Sequence, residues 1–421
     1  MPLLKTVQPQ DVTASRTDPL DETTIEQARA IMNDVRGRGE AAVREHAERL
    51  GDIQPGGTLT IDIPELNAAL ERLEPTQRAH LQTAADDIRA FAEGQRRALH
   101  DFEMPVPGAP GSRMGHELAP VERAGCYAPG GRYPLPSSVL MTAVTARAAG
   151  VERVWLASPR PTDVTLAAAA IAGVGGLLAI GGAQAIAAMV YGCGPIEPVD
   201  AVVGPGNRWV TAAKQLVAGR VAIDMLAGPS EVLVIADETA DAATLAADLL
   251  AQAEHDDDAA CYLVTTSHEL IERVNAELEA QLNDLPTADT ARNALNNSFA
   301  VACDSIDDAI AVSDQLAPEH LEIQTRDARG VASRCKHYGA VFIGEGAAEA
   351  VGDYGIGPNH TLPTGGTARS SAGLSVMTFL RMRTFLDIPE PAERSVYERT
   401  AALARMEGLE AHARSAERRL K

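Results

Sequence analysis

At 421 residues the chain exceeds what one hydrophobic core usually organises, so two main domains with appendages are expected. Its 58 acidic and 37 basic residues give a formal net charge of −21, which excludes a nucleic-acid surface built on clustered Lys and Arg. Aliphatic residues and alanine dominate, aromatics are only 4%, and no apolar run is long enough to span a bilayer, a composition that suits an α/β enzyme.

The opening Met1-Pro2-Leu3-Leu4-Lys5-Thr6 is followed by polar residues, not a secretory apolar segment, so a cytoplasmic location is expected. Lysine occurs only at Lys5, Lys214, Lys336 and Lys421. An acid-rich, lysine-poor surface suits a salt-rich cytoplasm, and GC-rich coding gives the same arginine bias. Cys126, Cys193, Cys261, Cys303 and Cys335 are odd in number and form no C-x-x-C pair, so they read as reduced core thiols.

Residues 24–100 read as helical, with Ile25, Ala28, Ile31, Met32 and Val35 at three- and four-residue spacing, and Leu81, Ala84, Ala85, Ile88 and Phe91 repeating the pattern. Residues 104–111, rich in Pro and Gly, interrupt all periodicity and read as a linker. Short apolar strands then alternate with alanine-rich helices, first near residues 154–157, 177–180 and 201–204, then near 232–235, 262–265, 299–302 and 340–343. That alternation predicts βαβ units and two parallel-sheet, Rossmann-like but incomplete domains. Residues 389–420 are charged and helical, with too few apolar positions to fold alone, so they must dock on the body or on a partner subunit. No G-x-G-x-x-G fingerprint is present, since Gly173-Val174-Gly175 and Gly344-Glu345-Gly346 both lack the third glycine.

Three stretches offer chemistry. Gln252 and His255 sit three apart at a predicted helix end and could share a cation beside Asp256-Asp257-Asp258; a histidine capping the helix dipole next to solvated aspartates gives the same spacing. Ala317-Pro318-Glu319-His320 places a carboxylate and an imidazole at the start of a strand, either as proton-transfer groups or as a surface pair. Residues 352–369 form a glycine-rich loop in which Asp353 is a candidate hard ligand and His360 a ligand or substrate contact. Glu407 and His412 in the tail either reach a cleft or decorate a helix.

Several segments together resemble the histidinol dehydrogenase family from about Ala30 onward. They are Tyr127-Ala128-Pro129-Gly130-Gly131, Pro136-Ser137-Ser138-Val139-Leu140-Met141, residues 181–188, Gly204-Pro205-Gly206-Asn207, Ala227-Gly228-Pro229-Ser230-Glu231, Ala253-Glu254-His255-Asp256, Ala317-Pro318-Glu319-His320-Leu321-Glu322 and residues 358–369. The resemblance implies oxidation of L-histidinol to L-histidine through the aldehyde, with two NAD and one water, the last step of histidine biosynthesis. It implies one zinc per subunit, held by Gln252, His255, Asp353 and His412, with Glu319 and His320 as the catalytic pair. Substrate contacts would be Ser230, Glu407, His320 and the four ligands; NAD contacts would be Tyr127, Gln184 and Asn207.

It further implies a homodimer whose tails cross, so that Glu407 and His412 complete the partner's site. The expected division is residues 1–113 as a helical segment and linker, 114–230 for NAD, 231–385 for zinc and catalysis, and 386–421 as the crossing tail. Ser370 and Thr378 depart from the family, where an aromatic and an acidic residue are common. Within the same family, other small polar alcohols such as sulfonated diols are an alternative substrate class. A non-catalytic binding protein on this fold would have lost ligand or base residues, and all are present.

Overall fold

The computed structural model describes residues 2–13, 20–130, 133–354 and 356–420. Gly131 of the Tyr127 motif and Gly355 of the glycine-rich loop lie outside the described residues. The chain forms two compact units, Met1–Gly94 with Val121–Phe379, and Gln95–Pro120 with Leu380–Lys421.

The larger unit holds two six-stranded sheets. In the first, the spatial order is Thr60–Ile61, Leu177–Leu178, Arg153–Ala157, Arg123–Tyr127, Ala201–Val203 and Ala222–Ile223; all pairs are parallel except the outermost, where Thr60–Ile61 runs antiparallel to Leu177–Leu178. In the second the order is Lys5–Val7, Phe299–Ala302, Ala260–Thr265, Glu231–Ala236, His320–Gln324 and Ala340–Ile343, parallel throughout. The alternation read from the sequence is therefore a pair of Rossmann-like sheets, each embedded in helices. Central strands are buried along nearly their whole length, as expected of helix-covered parallel strands.

The N-terminal segment folds as the helices Glu22–Arg38, Glu40–Arg49, Ile63–Arg72 and Pro75–Ala98. Asp21 caps the first by accepting from Thr24 N, and Gly39, at φ +59°, breaks it from the second. Ala28, Met32 and Val35 face inward, as the spacing predicts, and pack on Ala185, Ile186 and Met189. This segment also supplies an edge strand to each sheet, Lys5–Val7 to the second and Thr60–Ile61 to the first. Strands of three and two residues carry no periodic signal.

The smaller unit is an antiparallel sheet in the order Leu380–Asp387, Arg113–Pro120, Phe102–Pro105, together with the helices Arg394–Met406 and Glu410–Glu417. Residues 104–111 are thus not a free linker: Met104 pairs with Met114 and Pro105 with Arg113. Prolines are tolerated there because an edge strand has amide positions that need no ladder partner. The two helices pack through Ala401, Ala404, Ala413 and Ala416 beside Tyr397. Small side chains bury little area, and Met382, Leu386, Leu403, Met406 and Leu409 remain exposed.

Candidate active site

Two groups of functional side chains form in the larger unit, at opposite kinds of strand end. Tyr127 ends the strand Arg123–Tyr127, Gln184 lies in the first turn of the helix Gly182–Tyr191, and Asn207 caps the helix Arg208–Val217. All three follow the carboxyl ends of strands in the first sheet, where helix N-termini offer free N–H groups and a positive dipole end. Asn207 Oδ1 accepts from Trp209 N at 3.1 Å and Val210 N at 3.3 Å, which leaves its amide nitrogen to donate elsewhere. Gly204 sits at φ +119° with its Cα pressed on Tyr127; an added Cβ would lie 2.0 Å from the Tyr127 carbonyl oxygen, so only glycine fits. The buried Lys214 Nζ donates to Gly204 O at 3.0 Å and pairs with Asp224, whose Oδ2 accepts from Gly204 N at 2.7 Å. A buried ion pair thereby fixes the Gly204 loop.

The second group gathers at the amino end of the second sheet. His320 opens the strand His320–Gln324, Glu231 opens the adjacent strand, and the helix Ala242–Ala253 delivers Gln252 and then His255 at its carboxyl end. The helix Ile306–Leu316 stops at Ala317, which takes a left-handed conformation at φ +52° unusual for a residue with a Cβ. That turn drops Glu319 and His320 into the interior, 5% and 3% exposed. The reading of a surface pair is thus overturned: the strand lies between two neighbours and every residue in it is buried.

His320 Nδ1 stands 3.2 Å from the Glu231 carbonyl. A carbonyl only accepts, so Nδ1 carries the proton and the Nε2 lone pair is free. Nε2 is buried and has no hydrogen-bond partner among the described residues. Burial, with His255 and His360 nearby, lowers the imidazole to about 3, so it is neutral at physiological pH. Glu319 Oε2 accepts from Glu231 N at 3.1 Å and lies 3.8 Å from His320 Nδ1. Burial first, then the charges of Glu231 and Asp353, push its carboxyl well above the usual range, while a hydrogen bond from Ser230 works the other way.

Beside this pair, His255 Nε2 is 3.7 Å from Asp353 Oδ2 and 3.9 Å from Glu349 Oε1. One ligand atom from each of these three residues falls within 4.8 Å of the others. Gln252 Oε1 is 3.2 Å from His320 Nδ1 and accepts its proton together with the Glu231 carbonyl, an orientation consistent with the protonated Nδ1. Glu349 was not singled out by the sequence reading. It precedes Asp353 by four residues on the helix Glu349–Tyr354, a spacing that puts both carboxylates on one face. Glu322 anchors that helix by accepting from Glu349 N at 2.8 Å, and Gln324 donates to Asp248 at 2.8 Å and Glu322 at 3.3 Å beneath it.

Burial raises Glu349 well above the carboxylate range, aided by Asp353, Glu319, Glu322 and Asp248, and burial alone raises Asp353 to about 7. Several buried acids acting on one another form a site that a cation would relieve. An imidazole, an amide and two carboxylates also match the borderline donor set of zinc. His360 bridges outward, with Nδ1 3.2 Å from Asp353 O and Nε2 3.4 Å from Ser138 Oγ. Its loop ties the two halves of the unit together, since Asn359 donates to Met141 O at 2.8 Å and Thr364 Oγ1 accepts from Gly228 N at 2.6 Å.

Glu407 and His412 belong to the smaller unit, where Glu407 ends the helix Arg394–Met406, His412 lies in Glu410–Glu417, and both are exposed. Asp256, Asp257 and Asp258 lie on the turn after His255, and Asp256 accepts from Asp258 N. All five cysteines are buried free thiols, and burial pushes Cys126 to about 12 and Cys193 to about 11, away from thiolate chemistry. Among the described residues no helix is long and apolar enough to cross a membrane.

Residues 14–420 match the family model described as histidinol dehydrogenase. A histidinol dehydrogenase of Ralstonia nicotianae is 42% identical over 407 residues, covering 95% of this chain and 92% of that protein. One of Methanosarcina mazei is 42% identical over 391 residues, covering 92% and 89%. The crystal structure of histidinol dehydrogenase from Elizabethkingia anophelis superposes with a TM-score of 0.92 at 32% identity, over 100% of this chain and 98% of that one. These matches give no support to the alternative of another small polar alcohol.

Proposed function

The chain belongs to the histidinol dehydrogenase family of NAD-dependent oxidoreductases, and from that premise we propose how its residues divide the work. The reaction removes a hydride and a proton from the alcohol of L-histidinol to give the aldehyde. Water then adds to the aldehyde, and loss of a second hydride gives L-histidine, so two NAD are reduced for each substrate.

His320 Nε2 takes the alcohol proton in the first oxidation. Its buried, unpartnered lone pair is the observation that carries this reading. In the second oxidation Glu319 takes the proton of the attacking water, and His320 again removes the hydroxyl proton of the hydrate. Glu319 must be ionised for that, and a cation among its acidic neighbours is what would bring its carboxyl down from the raised state.

Gln252, His255 and Asp353, with His412 from a partner, would hold zinc, and Glu349 lies close enough to join them. Zinc bound there supplies a template that orients the substrate's imidazole and amine. Ser230 and Glu407 contact substrate, and Tyr127, Gln184 and Asn207 contact NAD. Residues 114–230 serve NAD, 231–385 the metal and catalysis, and 386–421 cross to the neighbouring subunit of a homodimer. The small, alanine-rich contact of the tail helices and the exposed Leu403, Met406 and Leu409 support a partner for the tail. A cytoplasmic location follows from the biosynthetic role.

The test is stoichiometry. Zinc-loaded protein with L-histidinol should form two NADH per substrate consumed, and no NADH from L-histidinol rejects the reading. Mixing inactive His320→Asn and His412→Asn subunits should restore activity through sites that draw on both chains; heterodimers without activity reject the crossing tail.

A further inference from the structure

Gln184 is 1% exposed, and its Oε1 has no hydrogen-bond partner among the described residues. Its Nε2 donates to Asp52 Oδ2 at 3.1 Å, and the same oxygen accepts from Gly181 N at 3.0 Å. Asp52 lies just past the helix Glu40–Arg49, in a segment that carries none of the motifs. A carboxylate offers only lone pairs, so it dictates which way the amide faces: nitrogen toward Asp52, oxygen away. On the other side Tyr127 is itself buried, and its hydroxyl accepts from Gly182 N at 3.4 Å.

The start of a helix ordinarily offers its N–H groups to a phosphate. Here two are engaged already, Gly181 N by a carboxylate and Gly182 N by a phenol. A buried amide oxygen left without a donor is unfavourable, so its persistence calls for a donor that arrives with a ligand.

We propose that Asp52 is a positioning residue for the dinucleotide: it holds Gln184 with Oε1 presented as an acceptor, so this corner of the site takes an uncharged hydrogen-bond donor of the cofactor, a hydroxyl or an N–H, and not a phosphate oxygen. The proposal rests on the assignment of Tyr127 and Gln184 to NAD. Asp52 acts through Gln184 and needs no contact with the cofactor. Losing one oriented buried hydrogen bond corresponds to about a tenfold change in affinity.

The experiment is fluorescence titration of NADH into zinc-loaded wild type, Asp52→Ala, Gln184→Ala and the double variant. Each single change should raise the NADH dissociation constant about tenfold, and the double variant should match Gln184→Ala alone, because Asp52 has nothing left to orient. In Asp52→Ala the kcat at saturating NAD should stay within about twofold of wild type, and Gln184→Glu, which replaces the oriented amide by a second carboxylate beside Asp52, should bind NADH more weakly than Gln184→Ala. Additive losses in the double variant would overturn the proposal, as would unchanged NADH affinity in Asp52→Ala when Gln184→Ala is impaired. If Gln184→Ala binds NADH like wild type, the NAD assignment itself falls and takes the proposal with it.

Discussion

The two parallel sheets of the larger unit do their work at opposite edges. In the first, Tyr127, Gln184 and Asn207 follow the carboxyl ends of the strands, among helix N-termini. In the second, Glu319, His320 and Glu231 stand at the amino ends, beside the carboxyl end of the helix that carries Gln252. Helix dipoles make the first edge favourable to anions and the second to cations. On the proposed assignment, a phosphate-bearing dinucleotide and a divalent metal would each face the edge whose field suits them. On that assignment the usual rule that ligands sit at carboxyl ends would hold for the dinucleotide and invert for the metal.

Changes at the cationic edge should strike chemistry, and changes at the anionic edge should strike cofactor affinity. The largest effect is expected for His320→Asn, with both oxidations slowed about 10²–10⁴-fold while NADH binding is preserved. A loss of NADH affinity of similar size would break the comparison. Glu319→Gln should slow aldehyde oxidation about 10²-fold and alcohol oxidation far less, because only the former consumes water; equal losses from the two substrates exclude this division of labour.

Glu349→Gln tests a candidate ligand that the sequence reading passed over. Zinc affinity, measured by competition with a chelator, should fall about 10–100-fold, and a value equal to wild type would remove Glu349 from the metal's surroundings. Asn207→Ala gives a smaller effect at the other edge: loss of the cap should cost about 1 kcal/mol in denaturant unfolding and weaken NADH without altering zinc content.

The two edges also differ in their response to pH. Asp353 is raised to about 7 in the folded protein by burial, so the native state holds a proton that the unfolded chain releases near the ordinary carboxylate value. The stability from that proton is full at acid pH and is lost as pH rises from about 4 to 7. Between pH 5 and pH 8 the melting temperature of metal-free wild type should therefore change about 5 °C more in the downward direction than that of metal-free Asp353→Asn, and zinc should reduce that difference by favouring the carboxylate. Equal pH dependence in the two metal-free proteins contradicts this contribution.

Much of this was legible in one dimension. Helical spacing correctly put Ala28, Met32 and Val35 inside, and strand and helix alternation gave both sheets. The Pro- and Gly-rich stretch 104–111 misled, because turn residues describe local stiffness and not whether a distant strand will pair; Arg113–Pro120 does so on both sides. Glu319 and His320 looked like either a surface pair or a catalytic one, since polarity alone cannot distinguish a solvated carboxylate from one dried by burial. Glu349 was missed because a glutamate outside a recognisable motif resembles any surface acid.

The sequence by itself determined the family and the two α/β halves, because those signals are carried by local periodicity and by motifs contiguous along the chain, and it nominated Gln252, His255, Asp353 and His412 as zinc ligands. Only tertiary structure decided that Ala317-Pro318-Glu319-His320 is interior, that Glu349 stands with the ligands, and that Asp52 turns the amide of Gln184. Each depends on groups far apart in sequence meeting where water is excluded, and burial and hydrogen-bond direction are properties of that meeting, not of any one residue.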